Sequence, residues 1–207
     1  MAQNQQAAPR VSALIMAAFN QSYHLHQDVL KAWIDISFSI GGTLPRSSLT
    51  MTIQRLGRLD TLIRAIEDER YEDPWMAEPH TSLAEQWIGD AYAVTHTIKS
   101  KKLNLQPEGF SELAHDLRIL RVQLEKHEIA TGAATKQPIE LEIIGSNEQE
   151  IYDASDPDRK HAIITAHGLT KRHSICWLVI DAASTESSRW IERRELSERF
   201  LRLWKKN

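Results

Sequence analysis

The sequence predicts a mainly α-helical protein with a four-helix bundle core, a small antiparallel β appendage and a C-terminal amphipathic helix. Apolar residues recur at helical spacing throughout residues 11–131. After a linker at 132–138 the pattern changes to short β-type runs bounded by turn residues. Because none of the four helices can bury its apolar face alone, a bundle is the expected arrangement.

These patterns divide the chain into four parts. Residues 1–10 are polar and predict a flexible tail, and residues 11–131 form the helical bundle. Residues 132–185 form the β appendage, which is too small to fold alone and should pack on the bundle. Residues 186–207 form the C-terminal helix.

The first two helices are predicted from their apolar spacing and from the residues at their ends. The first should run without interruption from Val11 to about Ser37, ahead of the helix-breaking glycines and proline at 41–45. The second should begin at a cap formed by Ser47 and Ser48. Its apolar face consists of Leu49, Ile53, Leu56, Leu59, Ile63 and Ile66.

The third and fourth helices follow in the same way. A capping box of Ser82 and Glu85 predicts the start of the third helix. The fourth should follow Pro107. Its apolar face is Phe110, Leu113, Leu117, Leu120, Leu124 and His127.

Composition excludes several classes of protein. The chain has 207 residues and a single cysteine, Cys176, so an internal disulfide framework and a four-cysteine zinc site are excluded. With 25 basic and 28 acidic side chains, it lacks the basic excess of a dedicated non-specific nucleic-acid binder. Its apolar runs are far shorter than a bilayer requires. We therefore expect a cytoplasmic protein without membrane association or cofactor.

The fourth helix carries the strongest candidate for catalysis, Arg121 and His127. The simpler interpretation is structural, with Arg121 paired to Glu125 four residues later. Alternatively, the arginine could hold a phosphodiester while the histidine moves a proton near neutral pH.

Arg121, five residues (VQLEK) and His127 resemble the arginine–histidine signature of the HEPN family of helical bundles. The resemblance covers at most residues 11–131. It implies a metal-independent endoribonuclease of a toxin or phage-defence type, whose site forms between two protomers. By the same resemblance, Arg121 would clamp the phosphate and His127 would act as acid and base.

Two other stretches, LAHDLRILRVQLEKHEIA and SSRWIERRELSERFL, resemble an uncharacterised family of bacterial proteins. That likeness implies a bacterial origin and supplies no activity.

Three histidines in the β appendage are weak candidates for a metal site. If His161–His167 and His173–Asp181 form a hairpin, His167 lies opposite His173, with His161 further along the same face. Zinc requires three or four ligands, so solvated histidines at a hairpin end are the simpler interpretation.

The C-terminal helix is a candidate interface. Trp190, Arg194 and Trp204 are of the residue types that dominate binding hot spots, although the aromatic residues could instead anchor the helix to the core. The leading hypothesis is a homodimeric helical-bundle protein that acts through protein–protein contacts, with a protein partner at this helix. The alternative is the HEPN-like ribonuclease, with RNA as its substrate.

Overall fold

A computed structural model describes residues 10–44, 48–103, 106–130, 138–142, 149–153, 165–181 and 188–204. In chain order these residues form helices α1 to α5, strands β1 to β5 and helix α6. The helices are α1 Val11–Leu25, α2 Gln27–Gly41, α3 Leu49–Glu69, α4 Ala77–Ser100, α5 Phe110–Lys126 and α6 Arg193–Trp204. The strands are β1 Ile139–Glu142, β2 Gln149–Tyr152, β3 His167–Leu169, β4 Ile175–Ile180 and β5 Ser188–Glu192.

The core lies between α2, α3, α4 and α5, which pack in chain order, and α6 packs against α2 and α5. The mainly α-helical fold is thus confirmed. Almost every residue predicted on the apolar face of α3 is buried, because the 3.6-residue period places these residues on one side of the helix. Among the described residues, no helix has the length and apolar composition of a membrane span.

A glycine allows α2 and α3 to approach closely. A Cβ atom at Gly57 would lie 2.4 Å from Cβ of Trp33, so no larger residue fits there without movement. The fully buried Trp33 ring contacts Trp87 on α4 and Phe200 on α6, with ring centroids 6.4 and 4.9 Å away. Trp33 therefore joins three helices to α2.

Two predicted helix boundaries are wrong. The first helix is divided at His26, whose φ of −127° and ψ of 42° separate α1 from α2. The third helix begins at Ala77, after a 3₁₀ turn in which the Asp73 side chain accepts a hydrogen bond from the backbone N–H of Trp75. Because this turn already starts the helix, the predicted capping box at Ser82 lies inside α4.

The β region consists of two small antiparallel sheets. Strands β1 and β2 pair with Ile139 opposite Tyr152, close to the predicted strands. Strands β3, β4 and β5 form the second sheet in that order. Alternate residues of β4, namely Ile175, Trp177 and Val179, are buried, so one face of this sheet packs on the helices.

The predicted start of the C-terminal helix is wrong. Residues 188–192 pair with β4 as strand β5, with Ile191 opposite Trp177, and the helix begins only at Arg193. The sequence pattern did not show this strand, because its backbone bonds are made to a partner more than ten residues away. The Ser174 hydroxyl then accepts a hydrogen bond from the backbone N–H of Arg194 at the first turn of α6.

Candidate functional site

Arg121 lies on α5 and is held by neighbouring side chains. Its Nε is 2.8 Å from Oε2 of Glu125, which is the predicted intrahelical pair. Its guanidinium also lies over the Tyr92 ring, 4.6 Å from the centroid. The hydrogen bond to Glu125 is the main reason that the pKa of Arg121 is raised. The arginine is therefore fixed as a cation on the helix surface.

His127 lies beyond the end of α5 and is exposed. It is the capping residue, with a left-handed φ of 54°, and its backbone N–H bonds to the carbonyl of Gln123. The prediction that His127 continues the apolar face is wrong, because the left-handed turn ends the helix and the chain then buries Ile129. In the described part of the chain, no hydrogen bond or ion pair joins Arg121 to His127.

An open cleft of about 510 Å³ surrounds Arg121 between α4 and α5. Tyr92 and His96 stack along it with ring centroids 5.5 Å apart. Three carboxylates line the same cleft, from Glu85, Asp90 and Glu125. Because this charge opposes a single guanidinium, the cleft disfavours a polyanion such as RNA.

The histidines proposed as metal ligands do not face each other. His161 lies outside the described residues, and His167 pairs with Trp177 across β3 and β4. His173 lies in the turn before β4 with a left-handed φ of 57°. The predicted opposition of His167 and His173 is therefore wrong, because the turn is shorter and the register differs. Within the described ranges, no group of three or more histidine, cysteine or acidic side chains could hold a metal.

The three candidate interface residues of the C-terminal segment face in different directions. Arg194 is 3.0 Å from Asp68 and 3.4 Å from Glu67 of α3. Trp204 packs on the rings of Phe110 and Phe200. The remaining one, Trp190, lies on strand β5 and is 56% exposed. Arg194 and Trp204 therefore attach this segment to the bundle.

An ion cluster that sequence reasoning missed lies where α6 meets α3. Arg193 is completely buried and bonds to the buried carboxylates of Asp60 and Glu67. Its contact with Glu67 is 2.7 Å. Burial alone would lower the pKa of Arg193, but the two carboxylates outweigh it and the pKa is raised. We call Asp60, Arg64, Glu67 and Arg193 the ion cluster.

Asp60 is the centre of the ion cluster. Burial by itself would raise its pKa, but Arg193 and Arg64 outweigh that effect, so the pKa is lowered. Its carboxylate also accepts hydrogen bonds from Trp33 Nε1 at 2.9 Å and from the Ser197 hydroxyl at 2.7 Å. Every member is paired, so the cluster is suited to holding α6 in place. Its signal in the sequence is the spacing of four and three residues, which aligns its α3 members on one face.

Helix α1 presents the opposite arrangement. It rests on α3, yet Ser22 is its only buried residue. At 100° per residue, an apolar group falls within an arc of about 100° on its outer side. We call this group the α1 surface; it consists of Val11, Leu14, Ile15, Ala18 and Leu25.

The α1 surface is exposed and carries no charge. Val11 is 72% exposed and Leu25 59%. The whole of α1 contains no aspartate, glutamate, lysine or arginine. Its four large side chains together expose on the order of 400 Å², a size at which apolar patches mark interaction sites.

Comparison of the chain with protein-family models, with curated proteins and with solved structures gives no match. The geometry of the described residues is therefore the basis for the function argued below.

Proposed function

We propose that this chain is a cytoplasmic, helical protein that acts through protein–protein contacts, and that it forms a homodimer in which the α1 surfaces of two copies meet. The observation that carries the proposal is the exposed apolar face of α1. Water is excluded from such a face when it pairs with another, and this contributes roughly 25 cal/mol for each Å² of apolar area.

The spacing of the α1 surface is suited to pairing with another helix. Val11, Ala18 and Leu25 are seven residues apart, and Leu14 occupies the position three residues after Val11. This is the a and d spacing with which two helices interlock their side chains. The surface therefore resembles half of a two-helix contact.

The lack of charge favours a second copy of the chain as the partner. Identical faces meet in a two-fold symmetric dimer, so any charged residue near the axis would face its own like charge. α1 carries none. Helices that lie on membrane surfaces instead carry lysine and arginine along their polar face, which α1 lacks.

The ribonuclease implied by the HEPN resemblance has less support. Arg121 is paired to Glu125 in a cleft lined by carboxylates, and His127 lies past the end of the helix. The interface expected at the C-terminal helix also has less support, since Arg194 and Trp204 contact the bundle. The α1 surface replaces that helix in our proposal.

The test is the molar mass in solution of three proteins, measured by sedimentation equilibrium. We expect the wild type to have twice the chain mass of 23.7 kDa. Leu14→Glu should give a monomer, because two carboxylates would be desolvated against each other in the apolar contact. Its free energy of unfolding, measured in the monomer, should stay within about 0.5 kcal/mol of that of other monomeric variants, since Leu14 is exposed.

The matched control is Met16→Glu. Met16 is 59% exposed on the same helix but points about 140° away from Val11. We expect this variant to remain a dimer. A monomeric wild type, or a Leu14→Glu protein that stays dimeric, would overturn the proposal.

A further inference from the structure

A second surface, distant in sequence from α1, brings together two guanidinium groups and a histidine. It is an open cleft of about 530 Å³ where α5, β5 and α6 meet. This volume is within the range of about 300–1,000 Å³ found for small-molecule sites. The cleft is lined by Ser111, Glu112, His115, Asp116, Arg189 and Arg199.

Asp116 holds the two arginines side by side at the base of the cleft. Its side chain is only 6% exposed, and one carboxylate oxygen accepts a hydrogen bond from Arg189 Nη2. The other oxygen accepts from Arg199 Nη1 at 2.6 Å. Because two guanidinium groups share one carboxylate, positive charge is in excess at this point.

His115 belongs to the same cleft and is oriented by a second buried carboxylate. Its Nε2 is 2.9 Å from Oδ2 of Asp181, whose side chain is 7% exposed. The nearest nitrogen of Arg189 is 3.6 Å from the same oxygen. Asp181 therefore pairs first with the histidine, and the arginines keep their excess charge.

Both arginines have more donors than these contacts use. A guanidinium carries five N–H groups in a planar fork that matches the oxygens of a phosphate. Among the described residues, the printed geometry commits one Nη atom of Arg189 and one of Arg199 to carboxylates. The Nδ1 edge of His115 and the hydroxyl of Ser111, one helical turn earlier, add further polar groups at the cleft.

We propose that this cleft binds the phosphoryl group of a small phosphate ester, held by Arg189 and Arg199 with His115 beside them. The phosphoryl group offers three oxygens and up to two negative charges, which suits two guanidinium forks better than a single carboxylate does. The cleft is also larger than a phosphate ion alone requires, so the ester group has room. This site is independent of the proposed dimer contact.

Glu112 makes the proposal sensitive to a change of opposite sign. It lines the cleft from the first turn of α5, and it is exposed. Its negative charge opposes an incoming phosphate. Removing that charge should tighten binding, whereas removing a cleft arginine should weaken it.

The experiment is isothermal titration of the full chain with ribose 5-phosphate, inorganic phosphate and acetate at constant ionic strength. We expect one ester per chain, with a dissociation constant below about 1 mM and no measurable heat from acetate. Tighter binding of the ester identifies an organic phosphate as the ligand, and equal binding identifies free phosphate. No binding of either phosphate up to about 10 mM would overturn the proposal.

Variants locate the binding. Arg199→Gln should weaken the affinity about tenfold, the loss of one charge-assisted hydrogen-bonding group. Arg189 still partners Asp116 in this variant, and circular dichroism checks that it is folded. Glu112→Gln should tighten binding severalfold. The control, Arg202→Gln, alters an exposed arginine on the same helix outside the cleft lining and should change nothing. Unchanged affinity in both cleft variants would place the binding elsewhere and overturn the proposal.

Discussion

The ion cluster and the α1 surface reverse the usual distribution of polar and apolar groups. In the ion cluster, Arg193, Asp60 and Glu67 are completely buried, whereas on α1 the large apolar side chains lie in solvent. A buried charge is tolerable only when it is fully paired, so the cluster fixes one position for α6. An exposed apolar face has no such internal partner. One region thus closes the fold and the other is open to a partner.

Removing the buried cation should have the largest effect on stability. In Arg193→Met, Asp60 and Glu67 lose the guanidinium that offsets their desolvation, and breaking such a buried pair costs about 3–5 kcal/mol. Urea unfolding followed by circular dichroism measures this loss. Arg194→Met is the matched control on the same helix, because its side chain is partly exposed and should cost about 1 kcal/mol or less. Equal losses in the two variants would contradict a special role for the buried arginine.

Acid should destabilise the protein through His80, a completely buried residue close to the ion cluster. Burial, together with Arg193 and His173, lowers the pKa of His80 from 6.5 to about 4. The unfolded chain therefore takes up a proton between pH 6.5 and 4 that the folded protein does not bind. The stability that neutral His80 contributes is complete above pH 6.5 and is lost as the pH falls to about 4, by about 3 kcal/mol.

Urea unfolding at a series of pH values tests this expectation. His80→Gln should lose most of the slope between pH 6.5 and 4, while His96→Gln, which alters an exposed histidine, should keep it. Asp60 does not contribute in this window, because its pKa is lowered from 3.8 and its stabilisation is lost only at lower pH. A slope that is the same in all three proteins would contradict the assignment to His80.

The smallest effect is expected at the exposed charges of α5. Arg121→Ala removes one surface pair with Glu125 and one contact with the Tyr92 ring, which together stabilise by less than about 1 kcal/mol. Thermal unfolding measures this change. Incubated with a mixed RNA pool in EDTA, the wild type, Arg121→Ala and His127→Ala should all leave the RNA intact. Cleavage by the wild type alone would instead support the ribonuclease.

Most of the bundle was predictable because its signal is local. The apolar residues of α3, from Leu49 to Ile63, repeat every three or four positions, and burial of one face follows directly from that period. The pair of Arg121 and Glu125 was predictable for the same reason, since residues four apart are neighbours on any helix. Trp190 was placed on a helix in error, because a strand partner far along the chain overrides local preference.

The parts that decide function depend on contacts between distant residues. The spacing of Asp60, Arg64 and Glu67 is visible in the sequence, but their partner Arg193 lies more than 120 positions away. Similarly, Asp116 and Arg189 are 73 positions apart and meet only after α5 and β5 pack. The sequence determined the helices and the apolar, uncharged character of α1. The tertiary structure alone decided which charges are buried and that the apolar side of α1 is exposed, because burial depends on which elements pack together.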